Sequence, residues 1–300
     1  MDMPDSDSTD ITDDAARQDD TAARKAAEVA VELSESGGPP DTRRLARGLR
    51  AVADRASTAL TAATATARRG TATAARRGAE GARKGAAGAG RGARRGAGSA
   101  GRGLSSGMSW LTGQAVAMGP RLRIRDQATL RTQFPGLTDD EIAEVLIDRA
   151  ARAAAAVGGT TGAWAALPVL PAFPAEIAAE TLAIVGIEVK LVAELHEVYG
   201  MAAKGGPAER ARAYLGSWAS RRGVYRVEGG LLLVAGSPLA RQLTRRLAGR
   251  VRRSTFSLGP FFTGALAGVL INRRETRKLG NLIRDELRGG RRMVAATVLD

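Results

Sequence analysis

All eleven aromatic residues of this 300-residue chain lie at or after Trp110. Large side chains supply most of the area that a core buries. A stretch of 109 residues without one is therefore expected to flank the folded part rather than form it. The apolar fraction of 44% does not offset this, because alanine inflates it and alanine buries little area.

Charge divides the same region again. Residues 1–40 hold 11 acids and 3 bases, and residues 41–107 hold 15 bases and 3 acids. The remainder is also basic, so the whole chain carries a net charge of +14. This segregation predicts an acidic tail over 1–40, an Ala/Gly/Arg-rich basic linker over 41–107 and a basic folded domain over 108–300. Dense Asp, Ser and Thr followed by Ser36-Gly-Gly-Pro-Pro40 predicts disorder for the tail. In the linker, Leu45, Leu49, Val52 and Leu60 draw a thin apolar stripe suited to a marginal helix. Beyond it, the pairs Arg68-Arg69, Arg76-Arg77, Arg83-Lys84 and Arg94-Arg95 recur among glycines, each costing about 1 kcal/mol of helix relative to alanine.

There is no cysteine, so disulfides and thiolate metal sites are excluded. The acidic, polar start MDMPDSDSTD lacks the basic-then-apolar pattern of a signal peptide, and a cytoplasmic protein is the expectation.

From Met108 onward the punctuation is helical. Thr138-Asp-Asp-Glu141 is a capping box leading into the stripe Ile142, Val145, Leu146, Ala150 and Ala153. Residues 153–175 carry no charge but contain Gly158, Gly159, Gly162, Pro168, Pro171 and Pro174. Such a run predicts a broken apolar hairpin, buried in a bundle or re-entrant in a membrane, and not a straight span. A long helix follows to about Ala203, Pro207 and Pro238 open others, and a last one runs from near Pro260 to Gly289-Gly290. No stretch alternates, so no sheet is placed. The expected fold is an all-α helical bundle.

Motifs for chemistry are few. Gly96–Gly101 matches a dinucleotide fingerprint and Gly103–Gly107 a nucleophile elbow, but neither follows a strand, and both are set aside. His196 is the only histidine and shares a helix row with Val185, Val189 and Val192, which suits a structural position near the core. Glu188 stands out. At 100° per residue it falls within the apolar stripe of Ile177, Ile184, Leu191, Leu195 and Val198, whereas Glu176, Lys190, Glu194 and Glu197 fall on the opposite flank. A carboxylate in that stripe is either ion-paired with an arginine of a neighbouring helix or serves a ligand or a proton. No catalytic set, metal site or cofactor is read, and an enzyme using Glu188 or His196 is the least favoured reading.

Surface chemistry is better marked. In residues 237–253, Leu239, Leu243, Leu247 and Val251 form a narrow row, and Arg241, Arg245, Arg246, Arg250, Arg252 and Arg253 stand among them without an acid. A basic amphipathic helix fits an anionic lipid surface or another polyanion, or it is a solvated bundle face. Residues 254–272 are uncharged, and Gly264 and Gly268 allow close helix packing. About 12 residues from Pro260 to Asn272 reach only ~18 Å, against a hydrocarbon core of ~30 Å.

The apolar hairpin VGGTTGAWAALPVLPAFP at 157–174, the helix closing on Val198-Tyr199-Gly200 and the segment LGPFFTGALAGVLINRRETRKLG at 258–280 together resemble the EcsC-like proteins. These are helical, membrane-associated bacterial proteins without an established activity. The resemblance spans roughly 138–285 and implies an all-α fold peripheral to, or shallowly embedded in, an inner membrane; it assigns no catalytic role. Anionic lipid is the expected partner. Nucleic acid is the alternative, through phosphate contacts of residues 41–107, although that segment has no aromatic for base stacking.

Overall fold

In the computed structural model, the described residues are 7–38, 41–58, 61, 110–164, 173–222, 224–227, 230–233 and 263–299. They form eight helices: α1 (Asp7–Glu35), α2 (42–58), α3 (110–118, continued by a 3-10 turn at Gly119–Arg121), α4 (Gln127–Gln133), α5 (Asp139–Trp164), α6 (Phe173–Val198), α7 (Pro207–Arg222) and α8 (Thr263–Leu299). The architecture is all-α, as the punctuation predicts. It carries one addition: an antiparallel ribbon of β1 (Val224–Val227) and β2 (Gly230–Leu233), with Val224 opposite Leu233. Four-residue strands are too short to show a period-two pattern that could be separated from a helical one.

Local chemistry sets the helix ends. The Thr138 N–H donates to Glu141 Oε2 at 2.8 Å and the Glu141 N–H to Thr138 Oγ1 at 3.3 Å, so the capping box starts α5. Asp126 caps α4 by accepting from the Thr129 N–H at 2.8 Å. Helix α6 stops at Val198, sooner than expected. Gly200 turns to φ +70°, and the N–H groups of Gly200 and Met201 donate to the Glu197 and His196 carbonyls. Those bonds satisfy carbonyls that the next turn of helix would otherwise use. Helix α8, by contrast, continues through Gly289-Gly290 to Leu299.

Two larger differences concern what belongs to the core. The glycines at 158, 159 and 162 do not interrupt α5, which runs to Trp164; Pro168 and Pro171 of the expected hairpin lie outside the described residues. The reason at Gly158 is packing. A Cβ there would lie 2.7 Å from the Gly268 carbonyl oxygen, and one on Gly268 would lie 2.8 Å from that of Gly158. The bare backbones thus cross in direct contact, and α8 runs antiparallel to α5 from that point, with Gly280 lodged between Ile147 and Leu191.

The second difference is that residues within the expected tail and linker reach this core. Ala22, Ala23, Ala26, Ala27 and Ala30 of α1 and Leu45, Leu49, Val52 and Ala56 of α2 are buried in the same core as α5 and α6. The acidic tail is therefore helical over Asp7–Glu35 and packed from Ala22 on, and the linker's first stretch is part of the domain. Alanine explains the difference. Its small side chain contributes little transfer energy by itself, but a stripe of it lets helix axes approach. Ala30 sits so near α6 that a Cβ on Gly186 would come within 2.7 Å of its own. Among the described residues, no helix is long and apolar enough to cross a membrane.

Candidate functional site: buried charges around α6

Helix α6 is the centre of the assembly. From Ala175 to Tyr199 only Glu176, Ile177 and His196 are less than fully buried, because α1, α5, α7 and α8 surround the helix. Its charged residues have therefore left water, and each needs a partner.

Glu188 is 2% exposed. Its Oε2 accepts from Arg222 Nε at 3.0 Å and Trp218 Nε1 at 2.9 Å, and its Oε1 from Thr276 Oγ1 at 2.9 Å and from Arg222 Nη2. Four donors fill a carboxylate's capacity. Burial works against the Arg222 charge, but Glu188 alongside outweighs it and holds the guanidinium pKa above its ordinary value. Arg222 also reaches Glu275 at 3.5 Å. One carboxylate thus ties α6 to the end of α7 and the middle of α8. It is a structural ion pair whose lone pairs are already in use.

A second cluster lies on the flank that the helical wheel assigned to Lys190, Glu194 and Glu197. A wheel suggests solvent for that flank; instead Lys190 is 0% and Glu194 2% exposed. Arg125 forks onto Glu194, with Nε to Oε1 at 2.8 Å and Nη2 to Oε2 at 2.7 Å, while its Nη1 donates to Gln133 at 2.6 Å. Lys190 donates to Glu194 and to the Arg123 carbonyl, and lies 3.2 Å from Glu35 at the end of α1. Desolvation pushes the Glu194 carboxyl up, but Arg125 and Lys190 more than reverse this and hold its pKa below the usual glutamate value.

At the C-terminal end of α6, Glu197 accepts from Tyr214 Oη at 3.2 Å and pairs with Arg210, and Tyr199 Oη donates to Asp140 at 2.6 Å. Burial first, and Asp140 second, push the Tyr199 phenol well above its normal pKa. His196 is half-buried, with Nδ1 2.7 Å from the Val192 carbonyl and its ring tilted against Tyr214 at 5.5 Å. At the other end, Asn272 donates to the buried Glu180 at 3.3 Å.

Of the residues singled out from the sequence, Glu188 lies where α6, α7 and α8 meet and Gly268 lies where α8 crosses α5. Gly264 lies in the first turn of α8, outside the residues whose contacts the structure describes. Arg241, Arg245, Arg246, Arg250, Arg252 and Arg253 also lie outside the described residues. Arg125, Lys190, Glu194 and Glu35 were missed as a site. Their signal was the apolar residues on both sides of α6, which mark a helix enclosed all round. Among the described residues no group of histidines, aspartates and glutamates could hold a metal ion.

A cleft of about 510 Å³ opens beside the second cluster, between α1, α2 and the 3-10 turn. Arg44 bridges Glu32 across it at 3.1 Å, and Arg123 lies 3.8 Å from Glu35, so its charges are largely spent on each other. No family model, curated protein or solved structure matches this chain.

Proposed function

We propose that this chain is a non-enzymatic, EcsC-like helical protein that attaches to the surface of an anionic membrane. The observation that carries the reading is a polarity along the bundle axis. The uncharged end of α5 (153–164), the start of α6 and the uncharged start of α8 (263–272) meet at one end, fixed by the Gly158–Gly268 crossing. Glu176 and Glu180 of α6 are the charged residues in that part of the helix, and Glu180 is 5% exposed. Towards the opposite end, α5 and α8 are laced by Arg277–Glu144, Arg277–Asp148, Arg284–Glu144 and Arg288–Asp140 pairs of 2.7 to 3.2 Å.

An apolar end combined with a net charge of +14 suits the boundary between headgroups and acyl chains. Basic residues near an anionic leaflet contribute about 1 kcal/mol each, so several suffice. In this reading the arginines of 237–253 and the basic pairs beyond residue 67 add to the attraction, and the buried charges around α6 hold the bundle together.

Co-sedimentation of the full chain with vesicles tests the reading. Vesicles containing anionic lipid should carry the protein down, zwitterionic vesicles should carry much less, and high salt should reduce the difference. Equal sedimentation with both compositions would refute it. Steeply salt-dependent binding to duplex DNA without vesicle binding would put the nucleic-acid reading of residues 41–107 in its place.

A further inference from the structure

Helix α8 presents its core side through Asn272, Thr276, Leu279, Ile283 and Leu287, all buried. The arginines bordering α5 are paired: Arg273 and Arg277 with Asp148, and Arg284 with Glu144. The face turned away from both is different. Leu270 is 65% exposed, Leu282 49% and Ile271 38%, which makes three of the five large hydrophobics exposed among the described residues. Between them stand Arg274 and Lys278, both exposed and, among the described residues, without a carboxylate partner.

Leu270, Arg274, Lys278 and Leu282 are spaced by four, so they follow one row about 18 Å long. An exposed leucine at each end of a row, with two cations between, has no use in the packing of the described residues. It matches a layered partner with negative charge at one depth and hydrocarbon just below. Long basic side chains can keep their heads at the charged level while neighbouring leucines go deeper.

We infer that this face of α8 is the surface that lies on anionic lipid, with Arg274 and Lys278 on headgroup phosphates and Leu270, Ile271 and Leu282 below them. This rests on the membrane reading above and sharpens it: the apolar end and this face of α8 meet the membrane together, which tilts the bundle and brings α8 towards the plane of the interface.

The chain has no cysteine, so single cysteines can carry a polarity-sensitive dye without interference. The full-length protein labelled at Leu282→Cys should shift to the blue with vesicles containing phosphatidylglycerol, and a label at Arg212→Cys, exposed on α7, should not. Partition of Arg274→Gln/Lys278→Gln should weaken about 30-fold, from two basic contacts at about 1 kcal/mol each. The charge-matched control Lys204→Gln/Arg212→Gln should stay within about threefold of the parent. If the parent binds vesicles but the α8 variant binds equally well, or the label at 282 does not shift, this surface is wrong and membrane attachment stands. If the parent does not bind at all, both readings fall. A blue shift that grows with protein concentration in the absence of vesicles would assign the face to a second copy of the chain and overturn the proposal.

Discussion

Removing Glu188 should be among the most damaging single changes in this protein. Glu188→Ala deletes four acceptor interactions and leaves Arg222, 4% exposed, charged and without its main partner. Breaking a buried ion pair from one side costs about 3–5 kcal/mol. The Trp218 indole and Thr276 hydroxyl also lose an acceptor, which places the variant towards the upper end of that range. For a domain of this size 1 kcal/mol corresponds to roughly 2–4 °C, so Tm should fall by about 10–20 °C. Removing both charges, as in Glu188→Met/Arg222→Met, should recover most of the loss, because desolvation of the pair disappears with the pair itself. Thermal unfolding followed by circular dichroism on the parent, both single variants and the double variant closes the cycle. Near-parental stability of Glu188→Ala would refute the structural assignment. So would a Glu188→Ala variant that folds normally but no longer binds vesicles, since that points to a ligand.

Other tests address separate parts of the fold. Gly268→Val should destabilise by at least about 1–3 kcal/mol in urea unfolding, since even a Cβ would lie 2.8 Å from the Gly158 carbonyl oxygen. Leu49→Ala should cost about 2–5 kcal/mol by the same assay, and a chain truncated to begin at residue 108 should bind a hydrophobic dye; a truncated chain as stable as the parent would remove α1 and α2 from the core. In acid, the lowered pKa of Glu194 sets the sign. The folded state holds the ionised form more strongly than the unfolded one, so this stability is complete above the ordinary value of 4.5 and is lost as pH falls through the depressed folded value. Glu194→Gln should therefore flatten the pH dependence of unfolding below pH 4.5, and an unchanged slope would count against the Arg125–Glu194–Lys190 cluster.

How much was legible varies from residue to residue. Thr138 and Glu141 announced α5 because a capping box is closed by atoms three residues apart and needs nothing remote. Glu188 was legible as an anomaly, since a carboxylate in an apolar row is visible by angle alone. Its partners were not. Arg222 and Thr276 lie 34 and 88 residues away, and no local rule selects them from 45 basic residues and the many hydroxyls of the chain. Gly268 could be marked as a close-approach position, but not that Gly158 would meet it.

By itself, then, the sequence determined the helical class, several helix starts and the one conspicuous buried acid. These depend on spacing, capping and exclusion. Tertiary structure alone decided that α1 and α2 belong to the core and that Lys190 and Glu194 are enclosed. Helical periodicity says which residues share a face; it does not say how many faces are covered. That number depends on how near neighbouring helices can come, and here the alanines of α1 that make the N-terminal third look coreless, with Gly186 and Gly280, are what let the helices close around α6.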